Sequence, residues 1–158
     1  MSSQKIKVAI DCDDAAVDMK AVISDHLMKQ GIDLTDLNYA GTHDKPFYPE
    51  IGYHLAKQVQ SGKYDRGILI CGTGLGMAMI ANKVQGVFAG TCHDVFSAER
   101  LSKSNDANVL TLGARVIGPE VAKMIVDAFL KSEFQGGGST PKVEQMRQLE
   151  KESFGNHG

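Results

Sequence analysis

The sequence predicts a single doubly wound (Rossmann-like) α/β domain on a five-stranded parallel sheet, followed by a C-terminal helical arm. Three observations carry that expectation. Apolar runs and amphipathic helical stretches alternate five times along the chain, the pattern of a parallel sheet covered by helices on both faces. One run, RGILIC (66–71), is apolar almost throughout, as a strand buried on both faces must be. A length of 158 residues suits one domain with a sizeable core and is short for two.

KIKVAIDC (5–12) reads as the first strand. In the helix that follows, Val17, Met19, Val22, Ile23 and Leu27 recur at helical spacing, and Gly31 stops it. Residues 32–39 (IDLTDLNY) form a second, weaker strand, and AGTHDKPFYP is a loop punctuated by Gly41, Pro46 and Pro49. Ile51, Leu55 and Val59 make the stripe of a second helix that ends near Gly62. After the strand 66–71, a glycine turn leads into a helix over 74–83, then a strand VFAGTC (87–92) and a helix over 94–103. NVLTLG (108–113) is the fifth strand, and PEVAKMIVDAFLK (119–131) a helix with proline in its first turn. A glycine hinge (136–138) separates the domain, residues 1–135, from the arm, 136–158, where Ser139, Thr140 and Pro141 start a short, highly charged helix. So polar a helix gains little by packing on its own domain alone. An arm reaching a second subunit and a loosely attached tail both remain open.

Composition narrows the partners. The net charge is −2, tryptophan is absent and aromatics make up 6%, so nothing draws or stacks nucleic acid. No apolar run approaches the roughly 20 residues of a membrane helix, and MSSQKIKVAI lacks the apolar stretch of a secretory signal. Cys12, Cys71 and Cys92 form no CxxC pair. A cytoplasmic protein with reduced thiols is expected.

Ligands in such sheets bind beyond the carboxyl ends of the strands. There the sequence places Asp11 to Asp14, Cys71 to Gly76, Cys92 to Asp94 and Gly113 to Arg115. The turn CGTGLG (71–76) lacks the GxGxxG spacing and first-strand position of a dinucleotide site, and no GK[ST] follows for a phosphate loop. A bare structural turn is one reading. The thiol supports another. Cys71 ends a buried strand beside a helix start, where partial positive charge favours the thiolate. The glycines leave backbone N–H groups free to face a ligand oxygen, and Thr73 adds a hydroxyl. A base beside oxyanion donors is what proton abstraction next to a carbonyl requires. No His, Cys or Asp cluster has metal-ligand spacing.

ILICGTGLGMAMIANK (68–83) together with HDVFSAERLSKSNDANVLTLGARVIG (93–118) resembles the ribose-5-phosphate isomerase B family, which includes the galactose-6-phosphate isomerase subunits. The likeness runs from the first strand to about residue 150. It implies aldose–ketose isomerisation of a phosphorylated sugar through an enediolate, with no metal or cofactor, by homodimers or homotetramers. Carried over, Cys71 matches the cysteine that moves the proton between two carbons. Thr73 and the backbone at Gly72, Gly74 and Gly76 match the enediolate cradle. Asp13 matches the acidic residue that touches sugar hydroxyls, Asn105 the asparagine of the family's His-Asn-Asp segment, and Arg115 a phosphate ligand. All are expected to converge on one edge of the sheet.

Three departures stand out. Asp14 occupies the place of a phosphate-holding histidine, and its charge would repel phosphate. Ser104 replaces the histidine credited with opening the furanose ring. Gly138 and Lys142 occupy the places of two arginines that clamp phosphate across the dimer, and a lysine is a point cation without a bidentate fork. Lys45 is a candidate replacement cation, although as isolated residues Lys45 and Lys142 read as solvated charges. His93 is expected to cap or shape the pocket. His26, His54 and His157 are expected at the surface, and His43 is a lesser contact candidate. The departures favour a tetrose 4-phosphate, which cannot close the furanose ring, as do similar relatives that isomerise D-erythrulose 4-phosphate. Ribose 5-phosphate, a non-catalytic sugar-phosphate binder and one subunit of a heteromeric hexose-6-phosphate isomerase are the other readings.

Overall fold

The structure is a computed structural model, and it describes residues 5–155. His157 lies outside the described residues. Five strands, β1 (Lys7–Cys12), β2 (Asp33–Asp36), β3 (Arg66–Cys71), β4 (Ala89–Thr91) and β5 (Val109–Gly113), form one sheet in the order β2-β1-β3-β5-β4. Every pairing is parallel. Six α-helices, α1 (Val17–Lys29), α2 (Tyr48–Gln60), α3 (Leu75–Ala81), α4 (Val95–Lys103), α5 (Pro119–Leu130) and α6 (Thr140–Gly155), follow the strands.

Side-chain alternation along the strands divides the core between two faces. Ile10, Ile68, Ile70, Leu110 and Leu112 meet Ile23 and Leu27 of α1, Ala98 of α4 and Ile125 and Phe129 of α5. Ala9, Leu69, Cys71 and Val109 face the other way, onto Ile51 and Leu55 of α2 and Met77 and Ala81 of α3. The chain therefore leaves β1 and β5 toward one face and β3 toward the opposite one. Adjacent connections that part in this way open a crevice at the carboxyl edge of the sheet. Cys71 is the last residue of β3 and points to the α2–α3 side of that crevice.

The elements differ from the sequence pattern mainly at their ends. β2 spans four residues rather than eight, because Asn38 takes a left-handed conformation (φ 44°) and residues 39–41 turn as a 3-10 helix. β4 is a three-residue edge strand that pairs with β5 alone. α2 begins at Tyr48 with Pro49 in its first turn, so the end of the predicted loop belongs to the helix; proline suits that position because its missing N–H would be unpaired there anyway. Val17, assigned to the buried stripe of α1, is 56% exposed and lines the crevice. Gly31, at φ 77°, stops α1 as expected.

The arm is a sixteen-residue helix, not a short one. It lies against its own chain at the amino end of β4 and β5. Val143 is buried, Arg147 pairs with Asp106 at 2.7 Å and covers the Phe88 ring, and Glu150 accepts from the Gly86 N–H at 2.9 Å. No helix among the described residues is long and apolar enough to cross a membrane.

Candidate active site

The glycine turn after β3 is pressed against the end of β5. A methyl group on Gly113 would lie 2.6 Å from the Thr73 carbonyl carbon, and one on Gly74 would lie 2.8 Å from that of Leu112. Gly74 also sits at φ 80°, where a side chain is strained. Backbone bonds seal the junction: Ala114 N–H donates to the Cys71 carbonyl (2.9 Å) and Arg115 N–H to the Gly72 carbonyl (3.0 Å). Gly76 packs against the Tyr48 ring, which leaves no room for a side chain.

This packing fixes the thiol. Cys71 is 5% exposed, and its Sγ accepts a hydrogen bond from the Gly74 N–H at 3.1 Å. Such a donor stabilises a thiolate more than a thiol. The Thr73 side chain is exposed, and its Oγ1 accepts from the Leu75 N–H at 3.2 Å. That leaves the hydroxyl proton of Thr73 to donate outward. The other two cysteines lie away from the turn. Burial pushes the Cys12 thiol up to about 12 and the Cys92 thiol up to about 11, so both stay protonated at neutral pH.

Arg115 leans over Gly72, its Nη1 3.2 Å from where a side chain would start. Exposed, it makes no side-chain hydrogen bond or ion pair among the described residues. Its guanidinium is available to an anion. Asp13 lies nearby, its N–H on the Ile70 carbonyl (3.2 Å) and its carboxylate on the Ala15 N–H (3.0 Å). Burial raises the Asp13 pKa and Asp14 adds to that; the Ala15 N–H and Arg115 oppose it. A cleft of about 800 Å³ opens beside Asp13, lined by Asp14, Lys45, Phe47, Tyr48 and Ile51 among others. Lys45 stands in a left-handed conformation (φ 42°) with its side chain exposed on the cleft wall.

Cys71, Thr73, Asp13, Arg115, Asp14, Lys45 and the three glycines thus gather at the carboxyl edge. Ser104 and Asn105 do not. They follow α4, whose course returns the chain to the amino end of β5. Asn105 faces a separate hollow with Asn82, Phe88 and Met146. Five residues of β5 separate that end from the level of Cys71, roughly 13 Å at the strand rise of 3.3 Å. The expected convergence of Asn105 on the same edge therefore does not hold within one chain. The reason is topological: a helix linking parallel strands begins at the carboxyl edge and ends at the amino edge. Lys142 and Gly138 sit with α6, also toward that far end, where Gln135 N–H binds the Lys103 carbonyl (3.1 Å).

Two residues that the sequence places at this edge act as structural partners of the site, Asp11 in a role the sequence does not specify and His93 as a brace. Asp11, 1% exposed, accepts from Cys12 N–H (2.9 Å) and Tyr39 N–H (3.1 Å) and faces Lys20 at 3.7 Å. It pins the turn that leads to Lys45. An acid inside an apolar strand was its signal. His93 accepts from the Gly113 N–H through Nε2 (3.0 Å), so it braces the junction of β5 with the glycine turn. Among the described residues no three His, Cys, Asp or Glu side chains gather as metal ligands.

A sulfur that accepts a backbone N–H and a hydroxyl donor beside it suit removal of a proton next to a carbonyl and support of the resulting oxyanion. That is the equipment of an aldose–ketose isomerase. Comparison with known proteins agrees: residues 8–146 match the ribose/galactose isomerase family model, and the chain belongs to that family. It is 52% identical to D-erythrulose-4-phosphate isomerase of Pectobacterium atrosepticum, over 89% of this chain and 93% of that one. It is 43% identical to ribose-5-P isomerase B of Listeria innocua, over 94% and 99%. The solved ribose-5-phosphate isomerase B of Clostridium thermocellum superposes with a TM-score of 0.88 at 41% identity, covering 94% of this chain and 99% of that one.

The Asp13 environment makes a prediction about pH. Burial favours the protonated acid in the folded state, so at neutral pH the folded chain holds a charge that the unfolded chain holds more easily. The penalty is absent below the ordinary value of 3.8, grows as pH rises through the raised folded value, and is constant above it. Asn can keep the turn-capping bond. Asp13→Asn should therefore raise the melting temperature at pH 7, lose that gain near pH 3, and lower kcat. Thermal melts across pH check the sign.

Proposed function

We propose that the protein interconverts an aldose and a ketose of a tetrose 4-phosphate, such as D-erythrulose 4-phosphate. One observation carries this substrate: among the described residues no imidazole is placed to open a sugar ring. Ser104 stands where the family resemblance puts the ring-opening histidine. Elsewhere, His93 accepts from Gly113 N–H and His26 pairs with Asp127 at 2.9 Å. His43 and His54 flank the Tyr39 ring. A tetrose 4-phosphate needs no ring opening, since the hydroxyl that would close a furanose carries the phosphate. The 52% identity to a D-erythrulose-4-phosphate isomerase supports the same substrate.

Starting from the aldose, the Cys71 thiolate takes the proton from C2. The C–H electron pair becomes the C1–C2 double bond of an enediolate, and the carbonyl electrons move onto O1. The Thr73 hydroxyl and turn N–H groups support the charged oxygen. A proton shifts from O2 to O1, and the thiol returns its proton to C1, leaving the carbonyl at C2. Asp13 orients sugar hydroxyls. Arg115 binds the phosphate, with Lys45 as a further cation.

The residues at the far edge belong to the same reading. Ser104, Asn105 and Lys142 cannot reach their own chain's Cys71, so a second copy supplies them in a homodimer, alone or paired as a tetramer. α6 is the arm that carries Lys142. Three free, buried cysteines fit the cytoplasm.

Cys71→Ser should lower kcat by at least about a hundredfold, the scale of general-base catalysis, with the fold intact. Undiminished turnover removes the thiol from the mechanism. Substrate binding without solvent-deuterium exchange at the carbon next to the carbonyl indicates a non-catalytic binder instead.

For the substrate, kcat/KM on D-erythrulose 4-phosphate should exceed that on ribulose 5-phosphate, and Ser104→His should narrow the ratio. A wild-type preference for ribulose 5-phosphate overturns the assignment.

Chain termination after Gly136 should weaken the dimer and raise KM together, by sedimentation and steady-state kinetics. A truncated protein that stays dimeric with unchanged kinetics removes the arm from the site.

A further inference from the structure

Behind the glycine turn lie two threonine hydroxyls that the reaction itself does not use. Thr111, in β5, is fully buried, and its hydroxyl lies 2.8 Å from the Gly74 carbonyl oxygen. Thr91, the last residue of β4, lies 3.1 Å from the same oxygen and 2.7 Å from the Thr111 hydroxyl. The Ala78 N–H of α3 donates to that oxygen as well, at 3.1 Å. A carbonyl oxygen has two lone pairs, and each hydroxyl has one proton. The arrangement that satisfies every group is a chain in which Thr91 donates to Thr111 and Thr111 donates to Gly74. Hydrogen bonds in such a chain reinforce one another in a low-dielectric interior.

Gly74 is also the residue whose N–H donates to Cys71 Sγ at 3.1 Å. Its left-handed backbone, at φ 80°, is held from both sides: the carbonyl by the threonines and α3, the N–H by the sulfur. Rotation of Gly74 would turn the N–H off the sulfur and carry Thr73, bonded to it directly, away from the substrate. The pleat of the sheet sets the same geometry. Thr91 and Thr111 are register partners in the β4–β5 pair, so their side chains project on one face, the face toward α3.

We propose that Thr111 and Thr91 are positioning residues for the isomerisation, a hydroxyl relay that holds Gly74 so that its N–H supports the Cys71 thiolate. The proposal rests on the reading of Cys71 as the base. The edge strand β4, three residues long, contributes Thr91 to this relay and leads into His93, which fixes Gly113. The short strand is thus a brace for the active turn.

The test uses the full-length protein. Valine matches the shape of threonine and suits a strand, so Thr111→Val and Thr91→Val remove hydroxyls with little change in packing. Each single variant should lower kcat about threefold, because the remaining hydroxyl still reaches Gly74. The double variant should lower kcat about thirtyfold with KM within about twofold, since a misplacement near 1 Å costs up to about a hundredfold. Thr111→Ser, which keeps the hydroxyl and loses a methyl group, should retain activity within about twofold.

A second readout does not depend on catalysis. The rate at which iodoacetamide alkylates Cys71 at pH 7, followed by peptide mass, should fall about tenfold in the double variant and stay near wild type in Thr111→Ser. A double variant with unchanged kcat or unchanged alkylation overturns the relay. So does a Thr111→Ser enzyme as impaired as Thr111→Val, which would assign the effect to packing. Failure of the Cys71 reading shows elsewhere, as full turnover by Cys71→Ser, and leaves the alkylation result readable.

Discussion

The close approach of the β3 turn to the end of β5 is the constraint on which the site depends. Backbone meets backbone there: Gly113 lies under Thr73, and Gly74 lies over Leu112. Only glycine permits that contact, because a Cβ at either position would fall within 2.8 Å of main-chain atoms and Gly74 has a positive φ. Once the turn is seated, the remaining geometry follows. The Gly74 N–H can bend back onto the Cys71 sulfur, the Thr73 hydroxyl faces outward, and residues 114 and 115 bond to the turn carbonyls so that Arg115 leans over Gly72. A looser turn would still be a strand-to-helix connection. It would not hold a donor on the sulfur.

Charge at the crevice follows from burial more than from pairing. Asp11 is inside, and two backbone N–H groups and Lys20 only partly offset the cost, so burial still raises its pKa. Asp13 is raised as well, with Asp14 as an unfavourable neighbour. A fold selected for stability alone would not place Asp14 where it raises the pKa of a half-buried Asp13. Arg115 is the counterweight that has no other partner among the described residues. A phosphorylated ligand would satisfy it, while the acids would meet hydroxyls as acceptors. Acids and cations therefore stand side by side in the crevice, Arg115 near Asp13 and Lys45 on the same cleft wall as Asp14.

The fold was legible because its signals are local. RGILIC predicted a central buried strand, and Gly31 and Pro119 marked helix boundaries that the structure keeps. What the sequence concealed was order and distance. Nothing in the apolar pattern says that α3 carries the chain past the place where β5 will insert, so β5 rather than β4 becomes the neighbour of β3. The turn CGTGLG could be read because thiol, hydroxyl and glycines are adjacent in the chain. Asn105 was misplaced because its position depends on which end of the sheet α4 runs toward. The Thr91–Thr111 pair was invisible for the same reason: two threonines twenty positions apart meet only through strand register.

The departures from the family pattern are themselves arranged in space. Cys71, Thr73, the glycines, Asp13 and Arg115 match it, and all lie at the carboxyl edge. Ser104, Gly138 and Lys142 depart from it, and all lie toward the amino edge or on the arm. There are two exceptions: Asp14 departs beside Asp13, and Asn105 matches at the far edge. A site losing its function would be expected to accumulate changes at the reacting atoms as readily as elsewhere, because nothing would hold them. Instead the residues proposed for proton transfer match the family pattern, and most of the differences collect where, in the proposed dimer, the partner would meet the ring oxygen and the phosphate. That division is what a change of sugar would require. The chemistry at the carbonyl and its neighbouring carbon is common to every aldose–ketose pair, whereas ring opening and the distance to the phosphate are the parts that depend on chain length.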